Sequence, residues 1–159
     1  MAAHPRIIEG DAAAKGVRMA IVAARFNAFV VDKLVNGALQ ALTEAGVRAA
    51  NVDVVRVPGA FELPLAVKQA AASRRYAAII ALGAVIRGET PHFDYVAGEC
   101  ARGVMQVMLE TGVPVGFGVL TCETLEQAQA RAGGEAGNKG ADATRAAIEM
   151  AGLLQRLAN

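Results

Sequence analysis

The stretch "AAIIALGAVI" at residues 77–86 constrains this chain more than any other. It is apolar at every position and shows no polar alternation, so neither face of the element it forms can look into water. That pattern belongs to a strand of a parallel sheet covered by helices on both sides. The surrounding sequence agrees. Further apolar, β-branched runs read as strands at "VRMAIVAA" (17–24), "VDVVRV" (52–57) and "PVGFGVLT" (114–121), and helical patterns separate them. In "FVVDKLVNGALQALTEAG" (29–46), Val30, Leu34, Ala38 and Leu42 make a helical stripe, and Gly46 supplies the stop. An alanine-rich helix with an early proline follows at 60–75, and a longer one closed by glycine at 92–112. A short helix (124–133), the loop "GEAGNK" and a final amphipathic helix carrying Ala147, Met150, Leu154 and Leu157 complete the chain. Strand–helix alternation with short connections predicts an α/β three-layer sandwich, a four-stranded parallel sheet flanked by helices. The reading is one domain over residues 1–159, of which 1–15 form an extended arm.

Composition narrows the partners. Sixteen basic against fifteen acidic side chains leave a net charge near +1, which offers no electrostatic footprint for nucleic acid. No apolar segment reaches the roughly 20 residues of a membrane helix. The first residues, "MAAHPRIIEG", lack the features of a secretory signal, and a cytoplasmic location is expected. Cys100 and Cys122 lack CxxC spacing and read as buried free thiols in a reducing compartment. A chain 54% hydrophobic has difficulty covering itself with polar groups, so helices apolar on more than one face point to a homo-oligomer.

In a parallel α/β sheet, ligands bind beyond the carboxyl ends of the strands. Those ends hold much of the chain's polar and aromatic chemistry. In "RGETPHFDYV" (87–96), Gly88 permits a tight turn or close approach to a ligand, Thr90 reads as a helix N-cap and Pro91 as the first helical residue. Exposed N–H groups and the dipole favour an anion there. His92, in the first turn, is either a surface histidine or a proton-transfer group, and this stretch alone does not choose. "RFN" (25–27) offers an aromatic face and an amide; "PGAFE" (58–62) offers a glycine turn and the Glu62 carboxylate. Glu62 could serve only the helix dipole, and Phe26 and Phe61 could be core. Arg131 and Lys139 could hold a phosphate together or be solvated surface charges. The Walker spacing is missing, no GxGxxG follows the first strand, and two distant histidines with scattered cysteines make no metal cluster, so a phosphate loop, a dinucleotide site and a metal site are each disfavoured. These features describe a pocket with an aromatic platform, an anion site and one histidine, and they do not identify its substrate.

In combination and in order, "RFN", "VPGAFELP", "ALGAVIRGETPHFDYV", "FGVLT" and "RAG…GNKGADA" resemble the lumazine synthase family over about residues 16–154. The resemblance implies a flavodoxin-like fold and condensation of 5-amino-6-(D-ribitylamino)uracil with 3,4-dihydroxy-2-butanone 4-phosphate to 6,7-dimethyl-8-ribityllumazine, the penultimate step of riboflavin biosynthesis. It also implies that no metal or organic cofactor is needed. It assigns the pyrimidine platform to Phe26, the ribityl neighbourhood to Asn27, and ring and ribityl contacts to Ala60, Phe61 and Glu62. Ala84, Val85 and Ile86 would meet the uracil edge. Gly88, Glu89 and Thr90 would form the phosphate turn, with Arg131 and Lys139 gripping the phosphate and His92 moving protons. Phe117 and Arg131 would come from a neighbouring subunit of a pentamer. The uninserted "GGEAGNKG" points to pentamers closed into an icosahedral 60-mer, and riboflavin synthase is a candidate partner. Three other readings compete: a non-catalytic flavin- or lumazine-binding relative, a structural shell or cargo carrier, and a generic FMN binder. The first could dispense with His92 and Arg131, the second needs no organised pocket, and the third predicts a hydroxyl- and glycine-rich loop where this chain has "ARFNAF".

Overall fold

The computed structural model describes residues 2–159. Four parallel strands, β1 (Met19–Ala24), β2 (Val52–Val57), β3 (Ala78–Ile86) and β4 (Val115–Cys122), lie in the order β2-β1-β3-β4. Helices α1 (Ala28–Glu44) and α5 (Lys139–Ala158) cover one face, and α2 (Leu63–Ala72) and α3 (His92–Thr111) cover the other. The short α4 (Leu125–Arg131) follows β4. This is the α/β three-layer sandwich that the strand–helix alternation predicts.

The pleat of the inner strands divides the interior into two cores. On β1, Met19, Ile21 and Ala23 enter the core beneath α1 and α5, while Ala20, Val22 and Ala24 enter the one beneath α2 and α3. β3 divides likewise, with Ile80 and Leu82 on one side and Ile79 and Ala81 on the other, all fully buried. Two-sided burial is the physical reason for the uniformly apolar run. The chain goes from β1 outward to β2 and then returns to the other side of β1 for β3. Strand order therefore reverses between β1 and β3, which opens a crevice at their carboxyl ends.

Several boundaries differ from expectation. "GEAGNK" is not a plain loop: Ala132–Gly134 (β5) and Gly137–Asn138 (β6) pair as a tight antiparallel hairpin. The last helix starts at Lys139 because Asn138 caps it, its side-chain oxygen accepting from the N–H groups of Gly140 (2.9 Å) and Ala141 (3.1 Å). The helix predicted over 60–75 opens as a 3-10 turn at Ala60–Glu62 and becomes α-helical only over Leu63–Ala72. Thr90 is not the N-cap of α3. Pro91 occupies that position and His92 is the first helical residue, with the Thr90 hydroxyl accepting a long 3.4 Å bond from the His92 N–H. Gly46 and Gly112 end α1 and α3 at positive φ, as the sequence predicts. Residues 2–15 contain no helix or strand. From Glu9 onward they run along α5, where Arg156 holds the Glu9 carbonyl and the Asp11 carboxylate.

Side chains at the amino end of the sheet satisfy one another. The Tyr76 phenol donates to Asp53 at 2.5 Å, and this bond, aided by Arg18, holds the carboxyl below its ordinary range. Both cysteines are buried free thiols, and burial pushes Cys100 up to about 11.

Asn138 ties three elements, since its side-chain amide also donates to the Lys33 carbonyl of α1 at 2.9 Å. Asn138→Ala is expected to lower the unfolding free energy in urea by about 1–2 kcal/mol, the usual range for a lost N-cap. Asn138→Asp keeps the cap acceptor and loses only the donation to Lys33, so its value should fall between that of Ala and the wild type.

Candidate active site

At the carboxyl ends of β1, β2 and β3 lies a cleft of about 740 Å³, within the size range of small-molecule sites. The turn after β1 presents Phe26, 71% exposed, and the 3-10 turn after β2 presents Phe61, 58% exposed, beside Glu62 and Ala60. Neither aromatic joins the core, which corrects the alternative that both are packing residues. Ala84, Val85 and Ile86 supply the wall from the end of β3. Gly88, Thr90 and His92 supply the third side, where α3 begins. A Cβ at Gly88 would meet nothing within 4 Å, so the fold does not demand glycine at that point and close approach by a ligand remains its use.

Asn27 and Glu89 do not line this cleft. Asn27 is held in the left-handed conformation (φ 61°) at the start of α1, and its side-chain amide donates to the Ala84 carbonyl at 2.9 Å. It thereby pins β1 to β3 across the point where strand order reverses. Phe93, Tyr95 and Val96 do line the cleft and went unread as site residues. Their signal was the helical pattern from His92, which carries the first turn of α3 along the cleft wall.

Phe117, Arg131 and Lys139 lie elsewhere. They share a second hollow of about 420 Å³ beside the outer strand β4, together with Thr121, Cys122 and Asp142. Arg131 ends α4, its guanidinium donating to the Gln127 carbonyl at 3.0 Å. Lys139 is the first residue of α5 and stands 3.5 Å from the Asp142 carboxylate. A cation at a helix N-terminus opposes the usual charge preference, and the two positive sources together suit an anion. Within one subunit, the expected site residues other than Asn27 and Glu89 thus fall into two hollows on different parts of the sheet.

The helix start behind His92 also suits an anion, because its first N–H groups lack intrahelical acceptors. Asp94 is the acidic residue of that first turn, and Arg87 engages it at 2.9 Å; this bond leads the causes that raise the arginine above its ordinary value. Burial raises the Cys122 thiol, and the nearby Arg131 charge opposes that shift. Among the described residues, no three His, Cys, Asp or Glu side chains converge to hold a metal ion.

Comparison with known proteins covers the same ground. The family model described as 6,7-dimethyl-8-ribityllumazine synthase matches residues 16–155. A protein of that name from Desulfotalea psychrophila is 58% identical over 153 residues, 96% of this chain and 99% of the relative. Its namesakes from Syntrophus aciditrophicus and Nitratidesulfovibrio vulgaris are each 53% identical, over 96% and 97% of this chain and 99% of each relative. With the parallel α/β sandwich and the cleft at its switch point already in place, a match of this extent leaves one assignment: the chain belongs to the 6,7-dimethyl-8-ribityllumazine synthase family.

Proposed function

We infer that this chain condenses 5-amino-6-(D-ribitylamino)uracil with 3,4-dihydroxy-2-butanone 4-phosphate, and that each active site joins hollows from two subunits. The observation that carries the composite reading is the separation of Phe26, Glu62 and His92 from Phe117, Arg131 and Lys139 within one subunit. On this reading the residues 1–159 work as one domain. The pyrimidine lies against Phe26 with its edge toward Ala84, Val85 and Ile86. The ribityl hydroxyls meet Ala60, Phe61 and Glu62, with Asn27 close to the chain they belong to. The phosphate sits at the start of α3 on Gly88, Glu89 and Thr90. A neighbouring subunit brings Phe117 over the ring and Arg131 to the phosphate, with Lys139 near it.

The chemistry then asks little of any single group. The pyrimidine amine attacks the ketone and water leaves as the imine forms. Phosphate is eliminated, the second amine closes the ring and another water departs. The substrates carry their own nucleophiles and leaving group, so no cofactor takes part. Holding two reactants in one cleft supplies the larger share of the acceleration. His92, in the first turn of α3 beside the departing phosphate, moves protons.

Exposed apolar side chains support assembly. Leu65, Tyr95, Met105 and Leu109 project from α2 and α3, Leu109 being 78% exposed. The family works as an oligomer, and a pentamer closed into an icosahedral 60-mer is the form that the short β5–β6 hairpin favours. Free thiols suit a cytoplasmic protein. Riboflavin synthase, acting on the lumazine product, is the candidate partner.

Mixing the purified protein with both substrates and no metal should generate the lumazine absorbance and fluorescence. Binding without turnover would favour a non-catalytic relative. His92→Ala should lower kcat roughly 100-fold, the low end of what a positioned acid–base group contributes, and leave measurable turnover, since orientation survives. Complete inactivity in a correctly assembled variant would contradict that division of labour. Arg131→Ala should raise KM for the butanone phosphate by about tenfold or more, the worth of a charge-assisted hydrogen bond, with little change in KM for the pyrimidine. An unchanged phosphate KM removes Arg131 from that role. In sedimentation velocity, a shell-sized species is expected, and a pentamer-sized boundary alone refutes the shell.

A further inference from the structure

Arg87 opens the same short segment as His92, yet the substrate contacts leave it without a task. It does not line the cleft. Its Nε donates to Glu123 at 2.8 Å, in the loop between β4 and α4, and its Nη2 donates to Asp94 at 2.9 Å, in the first turn of α3. The guanidinium also lies over the Phe93 ring, 4.4 Å from its centroid, and Phe93 is part of the cleft wall. The Arg87 backbone N–H donates to the Cys122 carbonyl at 2.9 Å, which fixes the root of the side chain at the end of the β3–β4 ladder. Glu123 is anchored in its turn, because its N–H donates to the Gln127 side chain that forms the capping box of α4.

We propose that Arg87 is a positioning residue for catalysis, its fork tying the first turn of α3 to the β4–α4 loop so that His92 is held at one place relative to the phosphate turn. The inference rests on the reading of His92 as the proton-transfer group. Both carboxylates are well exposed, and isolated pairs of that kind add little to stability. Several features set this one apart. One planar guanidinium engages two carboxylates from different elements through different nitrogens, and it stacks on an aromatic. Such geometry fixes orientation more than it adds energy. Asp94 is two residues from His92, so whatever fixes the Asp94 carboxylate also fixes the turn on which the imidazole stands. The fork further keeps two carboxylates paired beside a helix start that must receive phosphate.

Lysine discriminates between charge and fork, because an ammonium cannot reproduce the two-pronged planar geometry. In Arg87→Lys, kcat is expected to fall by about tenfold, the scale of a sub-ångström misplacement of a reacting group, with KM for both substrates within about twofold. In the His92→Ala background the same substitution should have no further effect, since the residue acts through the histidine. Asp94→Asn and Glu123→Gln keep shape and leave Arg87 in place, and each should show a smaller loss confined to kcat. They decide the matter if Arg87→Lys fails to assemble. Wild-type kcat in the lysine variant, losses additive with His92→Ala, or a change confined to KM for the butanone phosphate would each overturn the proposal. If wild type turns over and His92→Ala is slow while Arg87→Lys is additive, the positioning role fails and the proton-transfer reading stands. A His92→Ala variant of wild-type rate brings down that reading, and the positioning role falls with it.

Discussion

Everything in this molecule depends on burying β3 from both sides. A strand with Ile79, Ile80, Ala81 and Leu82 fully buried must have a helical layer above it and another below. Crossover connections with helices provide those layers and keep the strands parallel. Parallel strands, in turn, deliver all their carboxyl ends to one edge of the molecule. The chemistry gathers there because it has no comparable alternative: the opposite edge spends its polar groups on one another, as Asp53, Tyr76 and Arg18 do. The position of the cleft is thus a consequence of how the core is filled.

The small size of the core side chains has a second consequence. No phenylalanine of this chain is buried, and aliphatic side chains, alanine and valine foremost with leucine and isoleucine, make up most of both cores. Alanine-rich faces let helices approach closely, and at Gly140 a Cβ would stand only 2.2 Å from the Leu34 carbonyl, so α5 can rest on the backbone of α1. That approach sets where Lys139 emerges at the beginning of α5. Aromatic surface excluded from such a core is available for a ligand or a partner, and Phe26, Phe61 and Phe117 stand at the two hollows.

Much of this was legible in the amino-acid sequence, for reasons that can be named. β3 announced itself because full burial removes the alternation that a half-exposed strand would show. The carboxyl ends could be listed as site segments because topology alone puts ligands there. Other features were hidden because they depend on contacts distant in sequence. The Asn138 cap itself is local, but its amide also donates to Lys33 of α1, and nothing near "GNKG" reveals that neighbour. Thr90 followed by proline looks like a cap and first helical residue, yet the chain turns one residue later, so the hydroxyl bond to His92 is long. The division into two hollows was invisible to spacing and periodicity, and entered only through family resemblance. The role of Asn27 was missed for the same reason as the tie from Asn138 to Lys33: its partner is the Ala84 carbonyl on another strand.

On the proposed composite reading, the exposed surface takes on an energetic meaning. Each large aliphatic side chain removed from water contributes about 1.5–3 kcal/mol, whereas an exposed ion pair contributes about 0–1. Leu65, Met105 and Leu109 are exposed, and in the proposed assembly their burial would outweigh surface ion pairs as a source of association energy. In that assembly, apolar contacts would tolerate small sliding between subunits, whereas a phosphate shared by α3 and Arg131 would not. Precision must then come from directional groups near the cleft. The Arg87 fork provides it inside a subunit, and the phosphate itself would provide it between subunits, by joining a helix start on one to a guanidinium on the next. On that view the substrate completes the alignment of the wall that binds it. The hydrophobic surface would then supply the holding force, and the charged groups would set the register.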